Sequence, residues 1–352
     1  MDCLRLEELL GRMQSLKLAI AGDFFLDHYL IIEPKLEETS VETGLPAHQV
    51  VQLRPSPGAG GSVATKLAAL KVGTIHAVTM LGDDGYGYDL TNQLKKVGVR
   101  LDHVVRRPDR FTPTYGKPML RRPNGTEEEI SRIDIKNREP LPGEAEESII
   151  ESLRQLAGRV DGIIVVDQVE QPNCGVVTGR VREEVARLAD EHPELVVFAD
   201  SRSRIAEFRN VMMKPNFREA ARALGISEEK ESEEAAKKMA LRLERMIGRP
   251  MFLTMGPKGL ITADRGSSHV VPAFPVEGMI DTTGAGDTVT AGIVCALCGG
   301  AGIEEAAQVG NLAASITIKQ LGTTGTADPA QMIEALKRHE HPANRPQEEP
   351  PS

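Results

Sequence analysis

Tryptophan is absent from this chain, and aromatic residues make up only 3% of it. Aromatic platforms on which successive bases could stack are therefore missing, so single-stranded nucleic acid is a poor partner. A cationic excess is missing too, since 42 Lys and Arg stand against 51 Asp and Glu for a net charge of −9. A chain of that sign does not coat nucleic acid or an anionic membrane, and any anionic ligand needs a local site. Cysteine is scarce: Cys3, Cys174, Cys295 and Cys298 are too few and too scattered for a disulfide framework. Neither a secretory apolar segment nor an apolar run of about 20 residues is present, so no membrane span is expected and a reducing cytoplasm is the expected location. Cys295 and Cys298 form a C-x-x-C inside the apolar stretch 290–298 with no second ligand pair. Helix packing, rather than a metal or redox role, is its expected use.

What is present suffices for a large core. The 352 residues, 40% of them hydrophobic, suit one large α/β domain or two ordinary ones. Short apolar runs at 16–22, 75–81, 162–167, 195–200, 212–214 and 251–254 predict strands, and amphipathic stretches at 62–70, 144–156, 181–191 and 233–247 predict helices. This alternation predicts a mostly parallel sheet flanked by helices on both faces, with ligands beyond the carboxyl ends of the strands. Segments 31–54 and 103–138 break the rhythm with alternating character and turns such as Pro123-Asn124-Gly125, and are expected to form a small β-strand lid. One domain over 1–337 is expected. From 338 onward the chain is rich in Pro, Glu and His and is expected to be a disordered tail, because it buries too little apolar area to offset chain entropy.

The segment richest in chemistry is Asp281-Thr282-Thr283-Gly284-Ala285-Gly286-Asp287-Thr288, which runs directly into the small and apolar residues of a helix. Two close glycines let the backbone approach an anion. A helix starting there aims unpaired N–H groups and its dipole at a phosphate. Asp287 at that helix start is placed to accept a hydroxyl proton during attack on a γ-phosphate, a reaction carried mainly by positioning and charge. An aspartate in this place is also a common helix cap, and spacing alone leaves the two roles level.

As a whole, the octapeptide resembles the signature of the ribokinase-like (PfkB) carbohydrate kinases. The resemblance runs over residues 16–335, because the family's other motifs follow in its order: Gly82-Asp83-Asp84-Gly85-Tyr86-Gly87, Pro215-Asn216-Phe217-Arg218-Glu219, Thr254-Met255-Gly256-Pro257-Lys258-Gly259 and Gly310-Asn311-Leu312-Ala313-Ala314. It implies a ribokinase-like, doubly wound α/β fold with a β lid. It further implies Asp287 as the base and the N–H groups of Gly284, Ala285 and Gly286 as an anion hole. Asn216 and Glu219 match residues that organise Mg²⁺ through water near the ATP phosphates, where a hard cation suits oxygen ligands. By themselves these two also read as a helix N-cap and its first-turn acid. Thr254, Gly256 and Gly259 match a nucleotide-binding strand and turn, and Asn311 a position lining the adenine pocket. Asp281 and the Thr283 carbonyl match a monovalent-cation site for K⁺, and the family's habit implies a homodimer through the lid.

Within the family the chain most resembles the heptose 7-phosphate kinase domain of lipopolysaccharide-precursor enzymes. Gly22-Asp23-Phe24-Phe25-Leu26-Asp27-His28-Tyr29 resembles its first strand and turn, with Asp27 accepting sugar hydroxyls, and Ser40-Val41-Glu42, Pro46, Thr114, Lys117, Arg132 and Asp134 resemble its lid. Arg132 either meets a substrate phosphate bidentately or pairs with Asp134. Departures fall on the sugar side. The turn Gly60-Gly61-Ser62 carries a serine where relatives place an amide, Lys66 stands where they carry a second Asn, and Glu170 stands where they carry a lysine. That last change reverses a local charge and disfavours an anionic end of the acceptor. The expected activity is ATP-dependent transfer of the γ-phosphate to a sugar or sugar-phosphate hydroxyl in the manner of a heptose 7-phosphate kinase, with no accompanying nucleotidyltransferase domain. The alternatives are a catalytically weak sugar- or nucleotide-binding regulator and a kinase of the same family for another sugar or nucleoside.

Overall fold

In the computed structural model, which describes residues 1–227, 230–322 and 324–340, the apolar runs form the centre of a large sheet. In chain order the elements are α1 (Cys3–Met13), β1 (Lys17–Gly22), β2 (Phe24–Ile32), β3 (Glu38–Thr39), β4 (Pro46–Ala47), β5 (Val50–Ala59), α2 (Gly60–Ala69), β6 (Thr74–Gly82), α3 (Gly85–Lys96), β7 (Arg100–Arg107), β8 (Thr114–Arg121), β9 (Glu127–Glu129) and β10 (Ile133–Ile135). There follow α4 (Gly143–Ala157), β11 (Gly162–Asp167), α5 (Gly179–Glu191), β12 (Val196–Ser201), β13 (Met212–Met213), α6 (Phe217–Ala223), α7 (Glu233–Ile247), β14 (Met251–Thr254), β15 (Leu260–Asp264), β16 (Ser267–Val271), α8 (Ala285–Cys298), α9 (Ile303–Thr317) and α10 (Pro329–Glu340). The main sheet runs β16-β15-β14-β13-β12-β11-β1-β6-β7, parallel except for the antiparallel edge formed by β14, β15 and β16. Its central strands are apolar throughout because helices cover both faces, each face with its own apolar cluster. The expected α/β architecture is therefore present, and the strands and helices read from periodicity stand within a residue or two of their observed limits.

The second sheet, ordered β10-β8-β2-β5 with β9 on β8, is the lid. Its limits correct the sequence reading in two places. It opens at Phe24, immediately after β1, and residues 103–107, expected in the lid, instead extend β7 along the edge of the main sheet. Alternating burial is shared by a lid strand and a sheet-edge strand, so periodicity cannot separate them. The pivot between the sheets is Gly22-Asp23. Gly22 has φ +140, and a Cβ there would lie 2.1 Å from the Val166 carbonyl oxygen, so only glycine fits. The buried Asp23 carboxylate accepts the N–H groups of Gln168, Val169 and Val176 at 2.8–2.9 Å, tying the lid's origin to the loop after β11.

At the other end, residues 338–340, expected in the tail, form the last turn of α10, whose apolar face packs Met332 and Leu336 into the core. The rest of the expected tail, 341–352, lies outside the described residues. Cys295 is fully buried in α8 with Cys298 one turn on, and burial pushes both thiols up, which suits packing. Among the described residues no helix is long and apolar enough to cross a membrane.

Polar packing between α4 and α5 centres on Glu184, which receives Arg154 Nε at 2.9 Å and Arg187 Nε at 3.2 Å. Burial would raise this carboxyl, but the hydrogen bonds from Arg187 and Arg154 bring it down to about 2. A folded value below the unfolded one is stability that is present above pH 4.5 and lost as the pH falls through 2. Glu184→Gln is expected to cost about 1–3 kcal/mol at pH 7. The cost should shrink as urea denaturation is repeated toward pH 3.

Candidate active site

The amino end of α8 is where the elements of the fold meet. Gly284 caps it at φ 73, a left-handed conformation that glycine adopts freely, and no side chain hydrogen-bonds the helix end. First-turn N–H groups have no intrahelical acceptor, so those of Gly286 and Asp287 face outward from the helix. The Ala285 N–H is differently engaged: it donates to the Thr282 carbonyl at 3.1 Å and closes the turn. Of the three N–H groups expected in an anion hole, this one is occupied within the loop itself. Asp281 braces the same loop, accepting from the Thr283 N–H at 2.9 Å and from the Gly322 N–H at 3.1 Å, and the Thr283 hydrogen bonds hold its carboxyl below the usual range.

Two ammonium groups flank this turn. A Cβ placed on Gly284 would lie 3.4 Å from Lys66 Nζ, and one on Gly286 would lie 3.6 Å from Lys214 Nζ. Lys66 comes from α2, buried to 2% exposure, and donates to Ser62 Oγ at 3.2 Å. Lys214, just after β13, pairs with Asp200 Oδ2 at 3.1 Å, and Thr290 Oγ1 donates to the same oxygen at 3.1 Å. Asp287 sits among these groups. Burial raises its carboxyl above the ordinary value and Asp200 adds to the rise, while Lys66, a hydrogen bond from Ser62 and Lys214 pull it back. Its carboxyl therefore lies above that of a surface aspartate, with the charges of Lys66 and Lys214 acting on it from two elements.

Shortly after β13, Asn216 and Glu219 form a reciprocal cap on α6. The Asn216 side chain accepts the Glu219 N–H at 2.9 Å, and Glu219 Oε2 accepts the Asn216 N–H at 2.8 Å. Thr254 adjoins them, its N–H donating to the Pro215 carbonyl at 2.9 Å. Gly256 and Gly259 turn the chain with φ +55 and +90, and at Gly259 a Cβ would meet the Val271 carbonyl oxygen at 2.2 Å. Asn311, buried on α9, spends its amide N–H groups on the Val271 and Pro272 carbonyls at 3.1 and 3.0 Å, so it anchors the loop after β16.

Toward the lid, Asp27 pairs with Lys117 at 3.0 Å and lies against Gly58. Burial acts to lower the Lys117 ammonium, yet Asp27 and Tyr29 hold it above its ordinary value. Gly60 and Gly61 let α2 start close to β2 and β5, since a Cβ on either would meet Phe24 or Pro57 at 2.6 Å. Beside this site, where the lid meets the carboxyl ends of β1 and β11, lies a cavity of about 200 Å³ whose wall includes Tyr115, Arg132, Lys136, Gln168, Glu170 and Arg202. Arg132 stacks over the Tyr115 ring at 4.6 Å and pairs with Asp134 through Nε at 2.7 Å and Nη2 at 2.9 Å.

The amino-terminal turn of α8, the β14–β15 turn and Asn311 all fall inside residues 141–330, which match the model of the pfkB family of carbohydrate kinases. This chain belongs to that family. It is accordingly a phosphotransferase acting on a sugar hydroxyl, with the ribokinase-like fold. The kinase is 29% identical over 339 residues to the bifunctional protein HldE of Trichlorobacter lovleyi and 28% identical over 338 residues to that of Geobacter sulfurreducens, covering 96% of this chain in each case. It spans 66% of the length of these relatives. Among solved structures it is similar to Arabidopsis thaliana ribokinase complexed with ribose and ATP (TM-score 0.68, 21% identity, 92% of this chain and 99% of the other). It is also similar to Escherichia coli phosphofructokinase-2 in complex with potassium (TM-score 0.70, 18% identity, 92% and 100%).

Sequence reasoning about this kinase missed Asp200 and Lys214 as members of the site and did not place Lys66 beside Asp287. Asp200 lies one residue before the end of the buried strand β12, which was the available signal. Lys214, adjoining Pro215-Asn216, offered a second.

Proposed function

We propose that this kinase transfers the γ-phosphate of ATP to a hydroxyl of a phosphorylated sugar, with a heptose 7-phosphate as the best candidate acceptor and Asp287 as the base. The observation that supports the transfer end most strongly is the setting of Asp287: a raised carboxylate at an open helix amino end, between Lys66 and Lys214. A phosphate fits there, because glycine at 284 and 286 leaves clear the space that a Cβ would take beside each ammonium. The Asp287 carboxylate takes the acceptor's proton as its oxygen attacks in line, and the helix end and the two lysines meet the charge on the moving phosphoryl group. Oxygen donors suited to Mg²⁺ are present in Asn216 and Glu219, which would hold it through water; Mg²⁺ when bound neutralises charge on the phosphate oxygens. Asp281 and the Thr283 carbonyl are the candidates for a K⁺ site.

A phosphorylated acceptor is favoured by the cavity beneath the lid. Glu170 is exposed on its rim, whereas Arg132, Lys136 and Arg202 bring three cations to the same wall. Arg132 and Lys136 both pair with Asp134, at 2.7 and 3.0 Å, so Arg202 is the cation of this wall that stands against Glu170. Asp27 and the turn at Gly60, Gly61 and Ser62 would fix the sugar hydroxyls between this cavity and Asp287.

ADP release by the purified protein with ATP, Mg²⁺ and a panel of heptoses, hexoses and pentoses, each with and without a terminal phosphate, tests the proposal. Turnover of phosphorylated sugars supports it, and no ADP above background with any acceptor sinks it. Arg132→Gln is expected to raise KM for a phosphorylated acceptor about 10–100-fold, the worth of a lost charge-assisted pair, and to leave KM for ATP unchanged. An equal effect on unphosphorylated sugars would assign Arg132 to lid packing through Asp134 and Tyr115.

A further inference from the structure

We infer that Lys66 is a catalytic residue of phosphoryl transfer: its ammonium faces the Asp287 charge before reaction and the transferring phosphoryl group once Asp287 has taken the acceptor's proton. The inference rests on the kinase reading above and deepens it, because that reading brings both lysines to the phosphoryl group and does not say how the hold of Lys66 changes along the reaction.

Three observations carry it. The first is burial. Lys66 is a long cationic side chain with 2% exposure, and an ammonium withdrawn from water must be compensated by an anion or several acceptors. Ser62 supplies one acceptor, and Asp287 is the acid whose charge bears on the ammonium. The second is position. The ammonium stands 3.4 Å from where a Cβ on Gly284 would project, at the mouth of the α8 amino end where a phosphate would sit. The third is charge balance. Asp200 is committed to Lys214 and Thr290, which leaves Asp287 as the anion facing Lys66.

The consequence follows from the proton inventory. In the reaction the acceptor O–H bond breaks and its proton moves to Asp287, the acceptor oxygen forms a bond to the γ-phosphorus, and the bond from that phosphorus to the bridging oxygen breaks, its electron pair leaving with ADP. Protonation of Asp287 removes the negative charge beside Lys66 at the moment the phosphoryl group arrives. Burial lowers the Lys66 ammonium and a facing anion opposes that, so its attraction passes from the carboxylate to the phosphoryl oxygens. An interaction that grows along the reaction lowers the barrier, whereas one of constant strength only tightens binding.

The test compares the full-length wild type with Lys66→Met and Lys66→Asn in steady-state kinetics and in calorimetric binding of ADP with and without tetrafluoroaluminate, in the presence of Mg²⁺ and the acceptor. Tetrafluoroaluminate with ADP mimics the transferring phosphoryl group. Expected are a kcat lower by about 10²–10³-fold with KM for ATP changed less than about threefold, and a similar loss of affinity for ADP–tetrafluoroaluminate with affinity for ADP alone unchanged. Should the Met variant not fold, as judged by circular dichroism and thermal melting, the Asn variant carries the same comparison with a polar side chain. A neutral variant with kcat within about threefold of wild type, or one that loses ADP and ADP–tetrafluoroaluminate affinity equally, overturns the inference. Failure of the underlying kinase reading is recognised separately, in the wild type alone, as no turnover of any sugar.

Discussion

Asp287→Asn is expected to lower kcat by about 10²–10⁴-fold while leaving KM for ATP and for the acceptor within about threefold. The amide has the shape of the carboxylate and keeps a partner for the Ser62 hydroxyl, so substrates should still bind. It cannot accept the acceptor's proton. The pH dependence carries the same information. Burial and Asp200 raise the Asp287 carboxyl above its ordinary value against the pull of Lys66, Ser62 and Lys214. A base must be ionised, so kcat/KM of the wild type should fall as the pH drops toward that raised value, and the variant should lack this acid limb. ADP release measured from pH 5 to 9 with the best acceptor of the panel, alongside a thermal melt, checks both statements. A variant within tenfold of wild-type kcat would return Asp287 to the role of helix cap.

The largest expected effect on stability comes from Arg204→Met. Arg204 donates to Asp167 Oδ1 at 2.8 Å and to the Val169 and Glu170 carbonyls at 2.7 Å each, with both members of the ion pair buried. Removing one partner of a buried pair leaves the other uncompensated and costs about 3–5 kcal/mol, or roughly 5 °C in Tm for a chain of this size. The cost should depend on pH, with a definite sign. Burial and the neighbouring Asp23 push Asp167 up to about 7 even with Ser201 and Arg204 in place. A folded value above the unfolded one contributes stability that is fully present below pH 3.8 and lost as the pH rises through 7. Without Arg204 the value rises further, so the penalty should be largest near pH 8 and shrink toward pH 5, where a protonated Asp167 tolerates burial. Guanidinium denaturation at the two pH values, with Arg204→Met/Asp167→Asn as the companion, measures this. An equal penalty at both would clear Asp167 of responsibility. Because Arg204 also fixes the loop 168–171 on the cavity rim, KM for the acceptor should rise in the same variant.

Much of the fold was legible because its signals are local. The continuous apolar run at 162–167 can satisfy its burial only between two layers of helices, and the run at 251–254 matches the observed β14 residue for residue. The boundary of the lid was less legible. Residues 103–107 alternate as a lid strand does, and only their pairing with β6 assigns them to the main sheet. The site divides in the same way. The two glycines before Asp287 announce an open helix start in any context, whereas the double use of Asn216 and Glu219 as a reciprocal cap, and of Asn311 as an anchor for Val271 and Pro272, depends on neighbours far along the chain.

By itself the sequence determined the alternation of strands and helices, the glycine-bordered helix start and the order of motifs that marks a sugar kinase, since each is a property of neighbouring residues and their spacing. Only the tertiary structure decided which charges face Asp287. Lys66, Asp200 and Lys214 are distant from it along the chain, and they gather because α2 packs against α8 while β12 and β13 end near its start. No periodicity in sequence encodes that encounter, because it is the packing of α8 against these elements that brings two buried ammonium groups to the start of one helix.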